Sequence, residues 1–275
     1  VWRDERGDPE GDIYGARITP AGQVLDPDNF AVVSAPLWQT SSSVATLGND
    51  FVVVWQDTSF VVGARVTAGG EASAPFIVSR GLMGDAGRPV ITAAGAQYIA
   101  AWDEHQNVGN NTVYGRIIGA RLDPTGATLD DRGVAIRANE GGSWAPSIAA
   151  FGQNAWIAWQ DGGTYFTNNG VWAARMNQDG TVSSVVPVSV KRTEQSQAAV
   201  ACNGSTVLVA WRDTRNAPML TTSFFEHGDI YAVIRSCILH NIYGDDYQRR
   251  QRCCGQRNGI KLLMELYDHK YAHGQ

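Results

Sequence analysis

Five acidic side chains recur two residues after a tryptophan: Asp4 after Trp2, Asp57 after Trp55, Glu104 after Trp102, Asp161 after Trp159 and Asp213 after Trp211. Carboxylates repeated at one position of a fold can ligate a cation, accept hydrogen bonds from sugar hydroxyls, or work in pairs as acid and base. They can equally cap a turn or pair with a neighbouring arginine. Recurrence favours the architectural use, because catalysis needs one or two groups that differ from the rest. The five acids therefore stand as candidate ligand-binding residues, no residue is assigned a catalytic role, and calcium is the only cofactor they suggest.

Other chemistry finds little material. His105 is the only histidine before residue 227, and no Gly-x-Ser-x-Gly elbow accompanies it, which leaves nucleophilic catalysis unsupported. Lys191 is the only lysine before residue 261, and no glycine-rich phosphate loop is present. Asp245 and Asp246 near His240 suggest a metal site only weakly, since they fall where the composition changes. Cys202 stands apart from Cys237, Cys253 and Cys254, so neither a zinc site nor a disulfide framework is expected. Trp38, Trp144, Trp156 and Trp172 lie off the recurrent position, and packing is the first expectation for them, with sugar stacking as the alternative.

The elements that position these residues are read from a period. The recurrent tryptophans are spaced 53, 47, 57 and 52 residues apart, and a glycine precedes the last four by seven residues: Gly48, Gly95, Gly152 and Gly204. Arg17, Arg65, Arg121 and Arg175 follow later in each unit, each with a glycine five residues on. Such a period marks a repeat architecture. Each unit reads as four short strands, the first in stretches such as 43–47 and 147–150. A glycine turn then leads to a second, apolar strand such as 51–55, 98–102 or 156–159. The third carries the Ala-Arg pattern and the fourth is less regular, near 31–34 or 185–190. Near-continuous apolar second strands suit burial on both faces. The expected fold is all-β: a β-propeller, or part of one, of about five four-stranded units.

The strings Val-Trp-Arg-Asp-Glu-Arg (1–6), Asp-Ile-Tyr-Gly-Ala-Arg (12–17) and Pro-Ala-Gly-Gln-Val-Leu-Asp (20–26) resemble the Trp-x-Asp and Asp-Ile-Tyr-Gly-Ala-Arg repeats of large bacterial proteins predicted to be secreted or surface-borne. The resemblance covers residues 1–235. It implies a repeat fold and an extracytoplasmic setting, and carries no reaction with it.

After Arg235 the pattern stops, so residues 1–235 are expected to form the propeller-like domain and 236–275 a distinct tail with a short helix near 260–271. Val1 and Trp2 read as the end of a strand, which suggests a mature or truncated segment.

Composition narrows the partners. Hydrophobic residues make up 44% and charged residues 18%, with 30 glycines, a globular and turn-rich balance. A net charge of −5 gives no reason to expect nucleic acid, and the longest apolar runs have strand length, so no membrane span is expected. The expectation is a non-catalytic binding or interaction module of a secreted or cell-surface protein, with a protein or carbohydrate ligand. The alternatives are a lectin-like propeller and a propeller glycoside hydrolase.

Overall fold

The computed structural model describes residues 1–81, 84–107, 113–138, 142–162, 170–190, 194–214 and 229–236. The chain divides into two compact units, Val1–Cys237 and Ile238–Gln275. The second unit, with the helix expected near 260–271, lies outside the described residues, as do residues 108–112, 163–169 and 215–228.

Every regular element among the described residues is a strand, and the strands form five antiparallel sheets. Blade 1 holds β1 (Trp2–Asp4), β2 (Asp12–Gly15) and β3 (Phe30–Val33). Blade 2 holds β4 (Gln39–Leu47), β5 (Asp50–Asp57), β6 (Phe60–Val66) and β7 (Phe76–Ser79). Blade 3 holds β8 (Asp85–Ala94), β9 (Gln97–Asn107), β10 (Val113–Leu122) and β11 (Val134–Arg137). Blade 4 holds β12 (Gly142–Phe151), β13 (Asn154–Gly162), β14 (Gly170–Met176) and β15 (Val186–Ser189). Blade 5 holds β16 (Gln195–Cys202), β17 (Thr206–Asp213) and β18 (Asp229–Ser236). Within each blade the strands pair in chain order. The first strands pack successively on one another, β4 on β8, β8 on β12 and β12 on β16, so they line the axis of a β-propeller. Among the described residues blade 1 has no first strand and blade 5 no fourth, and the blades form a partial ring.

The hairpin between first and second strands follows from its glycine. Leu47 pairs with Asp50, Ala94 with Gln97 and Phe151 with Asn154, leaving two-residue loops. In each, only the first loop residue has positive φ, at 72° in Gly48, 64° in Gly95 and 62° in Gly152. That is the II′ geometry, whose twist matches the strands it joins.

Second strands are buried on both faces, and alternate side chains serve different interfaces. Val52 and Val54 pack with Tyr98, Ala100 and Trp102 between blades 2 and 3, while Val53 and Trp55 join Ile13 and Val32 between blades 1 and 2. Trp159 seals blade 4 to blade 3, and Trp211 seals blade 5 to blade 4. Each tryptophan therefore faces the preceding blade, and the residue after it faces the following one. Burying such a side chain contributes on the order of 3 kcal/mol.

The shared geometry at Arg17 and Arg121 is architectural. Arg17 forks onto Asp26 at 2.6 Å and reaches Ala68 O of blade 2 at 2.6 Å. Arg121 forks onto Asp130 at 2.7 Å and reaches Gln178 O of blade 4 at 3.0 Å. Each links its own blade to the next. Arg65 and Arg175 instead bond Asp50 and Asn177 within their own blades.

Candidate functional site

The axis-lining strands share an irregularity that aims their side chains. Each carries a bulge, between Thr40 and Ser43, Gly87 and Val90, Trp144 and Ser147, and Ser196 and Ala199. At each bulge one non-glycine residue is left-handed: Ser41 at φ 54°, Arg88 at 47°, Ala145 at 50° and Gln197 at 55°. Such conformations cost about 1 kcal/mol or more each and persist where the surroundings enforce them, often beside functional sites.

The five tryptophan-plus-two acids stand at the same end of the blades, but their surroundings differ. Asp4 accepts the Trp2 indole N–H at 3.1 Å and pairs with Arg6, which holds its carboxyl below the usual range. Asp213 is buried and accepts from Trp211 Nε1 at 3.3 Å and from Gln195 Nε2 at 2.6 Å. Asp161 is buried against Arg137 of blade 3 at 2.8 Å, and burial raises its pKa. Asp57 accepts from the Thr58 hydroxyl at 3.4 Å and Glu104 is buried. Among the described residues no three His, Cys, Asp or Glu side chains gather as metal ligands would. The spacing thus brings these acids to one level without making them one site.

The asymmetric acid lies one residue earlier. The tryptophan-plus-one position holds Arg3, Gln56, Asp103, Gln160 and Arg212, so Asp103 is its single acid. It faces blade 4, and its Oδ2 accepts Arg88 Nε at 2.6 Å and the Ala145 backbone N–H at 2.8 Å. Both donors come from left-handed bulge residues of adjacent blades. Asp103 Oδ1 is buried, has no hydrogen-bond partner among the described residues, and lies 3.7 Å from His105 Nδ1. Burial pushes the Asp103 pKa up to about 6, outweighing the opposing charge of Arg88. Burial and Arg88 together bring His105 down to about 4. The His105 ring stacks on Trp144 of blade 4, with centroids 5.9 Å apart. The signal for Asp103 was present in the Trp-Asp-Glu string at 102–104, yet it carries meaning only once the facing blade is known.

At the mouth of the axis one register position completes the arrangement. Gln39, Ala86, Ser143 and Gln195 pair with Asp57, Glu104, Asp161 and Asp213, so the residues just before them are equivalent: Trp38, Asp85, Gly142 and Glu194. Trp38 and Asp85 are exposed and Glu194 is half-buried. A Cβ at Gly142 would collide with the Trp144 ring, so glycine there lets Trp144 lie against the backbone and stack on His105. Away from the axis, a cleft of about 620 Å³ lies along β7 and the segment at 128–132, lined by Arg80 and Arg132 among others.

No family model and no curated protein matches the sequence. Solved structures do match the fold. A puromycin-hydrolysing peptidase from Mycobacterium tuberculosis aligns with a TM-score of 0.53 at 12% identity, over 87% of this chain and 37% of the peptidase. An endo-arabinase from Bacteroides thetaiotaomicron aligns with a TM-score of 0.49 at 11% identity, over 71% of this chain and 75% of its own. A thermostable family-43 glycoside hydrolase aligns with a TM-score of 0.46 at 9% identity, over 64% of each chain, so this chain spans less than two thirds of that enzyme. At such identities the likeness shows the propeller fold.

All three are enzymes, so the shared fold lends no support to the expected non-catalytic binding or interaction module, and that expectation is withdrawn. That expectation assumed that the acids only repeat. Asp103, Asp85 and Glu194 occupy positions whose counterparts in other blades are not all acidic, so these acids break the repeat symmetry.

Proposed function

We propose that this chain is a glycoside hydrolase built on a β-propeller, acting at the axial mouth on a carbohydrate ligand. The observation that carries this reading is the set Trp38, Asp85, Gly142 and Glu194, each one residue before the partner of a tryptophan-plus-two acid at the start of the axis-lining strands. Two carboxylates there belong to blades 3 and 5 and flank blade 4. Glycoside hydrolysis uses such a pair: one carboxylic acid protonates the leaving oxygen while the other carboxylate attacks the anomeric carbon or activates water. Asp85 and Glu194 take these two roles. Asp103 is a positioning residue, holding Arg88 and tying blade 3 to the bulge of blade 4. The sequence resemblance supports reading the five units as copies of one tandem repeat in a secreted or surface-borne protein.

The test is hydrolysis of aryl glycosides and of a panel of neutral polysaccharides. Wild-type turnover is expected on at least one, with Asp85→Asn and Glu194→Gln each lowering kcat at least a hundredfold while the melting temperature is kept. Unchanged turnover in the double variant, or no hydrolysis of any substrate by the wild type, would remove this reading.

A further inference from the structure

We infer that Trp38 is a stacking platform for the ring of a neutral sugar at the axial mouth; the sugar's hydrolysis rests on the reading above, and its binding does not. Among the tryptophans off the recurrent position, three are engaged by protein. Trp144 stacks on His105, Trp172 lies under the Arg137 guanidinium at 4.7 Å, and Trp156 packs against the core between blades 4 and 5. Trp38 is 51% exposed and its neighbour Leu37 is 57% exposed.

This exposure is built into the backbone. Leu37 is left-handed at φ 83°, an uncommon conformation for a branched side chain. The turn is held from below by Gln39, which is fully buried and donates from Nε2 to Leu37 O at 2.6 Å and Pro36 O at 3.4 Å. Thr58 N–H donates to Trp38 O at 2.9 Å. In that same Thr58–Ser59 turn, Ser59 O accepts the Ala86 N–H at 3.1 Å, so the segment bonded to Trp38 is also tied to β8 beside Asp85. A strained turn fixed by a buried amide and backbone bonds thus presents an indole to solvent in the same frame as a carboxylate.

That pairing selects a ligand. The flat apolar face of an indole suits the C–H face of a sugar ring, and carboxylates accept hydrogen bonds from sugar hydroxyls. The ionised member of the Asp85 and Glu194 pair repels an anionic sugar at this level, so the ligand is neutral.

The experiment is isothermal titration of neutral hexasaccharides (arabino-, xylo-, gluco- and galacto-configured) and of an oligogalacturonide, with kinetics on an aryl glycoside alongside. Trp38→Ala is expected to weaken binding of the preferred neutral hexasaccharide at least tenfold and Trp38→Phe less than fivefold, with unchanged melting temperature. The oligogalacturonide is expected to bind neither protein. Equal affinity in wild type and Trp38→Ala, absence of any neutral-sugar binding, or equally tight oligogalacturonide binding would each overturn the inference. The two readings fail separately. Trp38→Ala losing affinity in a protein that hydrolyses nothing keeps the platform and removes the hydrolase. Asp85→Asn losing turnover while Trp38→Ala binds normally does the reverse.

Discussion

Asp103 and Ala145 join blade 3 to blade 4 through a backbone N–H donated to a carboxylate oxygen at 2.8 Å, the same oxygen that takes Arg88 Nε at 2.6 Å. Two hydrogen bonds and a cation favour the ionised form, yet burial dominates and the carboxyl titrates near 6. His105, beside it, is shifted in the other direction, to about 4 from an ordinary 6.5. This pair of opposed shifts gives the first prediction.

Between pH 4 and 6 folded Asp103 holds a proton that the unfolded chain has released, so its contribution to stability is present below about pH 4 and lost as pH rises through 6. Folded His105 stays neutral where the unfolded chain is protonated, so its contribution is present above pH 6.5 and lost as pH falls through 4. Each shift is worth about 3 kcal/mol at most. The two slopes oppose, and the wild type's urea midpoint is expected to depend less on pH from 4 to 6.5 than that of either single variant. Asp103→Asn leaves the histidine slope, so its stability should rise with pH. His105→Gln leaves the aspartate slope and should fall with pH. Parallel profiles in all three proteins would contradict the assignment.

Arg88 opposes the burial of Asp103, and removing its charge leaves the carboxyl more easily protonated. Carboxyl-carbon NMR of Arg88→Gln is expected to place the Asp103 midpoint above 6. The same substitution relieves the His105 ring of a like charge and should raise its midpoint above 4.

Gly142→Ala sets a methyl where the Trp144 ring lies. The ring must move, its stacking on His105 is lost, and overpacking should cost about 1–3 kcal/mol. His105 then meets more solvent, and its pKa should climb toward 6.5, read by imidazole proton shifts.

Arg121 reaches across to blade 4, whereas the Arg175 side chain bonds inside its own blade. Arg121→Ala should therefore cost about 1–2 kcal/mol by denaturant unfolding and expose the amides around Gln178 to hydrogen exchange. Arg175→Ala should leave exchange in blade 5 unchanged. Equal effects of the two would show that the contact between blades adds nothing.

Much of the blade was legible because its signals are local. Gly48, Gly95 and Gly152 announce two-residue turns by themselves, and the apolar runs ending at Trp55, Trp102 and Trp159 announce strands buried on both faces. The strand stretches read at 43–47 and 147–150 prove longer, Gln39–Leu47 and Gly142–Phe151, because a bulge carries pairing past the irregular residues. No residue type marks that bulge: Ser41, Arg88, Ala145 and Gln197 share a conformation and nothing else.

The repeating unit is encoded locally: its strands, its turns and the level of its five acids. The tertiary structure decided which faces meet. Asp103 became a distinct group only because it faces Ala145, 42 residues later on the next blade. Trp38 became distinct because buried Gln39 holds its turn outward. Local periodicity encodes a strand and its two sides, but the partner of each side, and hence the charge balance and exposure of any group on it, is set by stacking between blades.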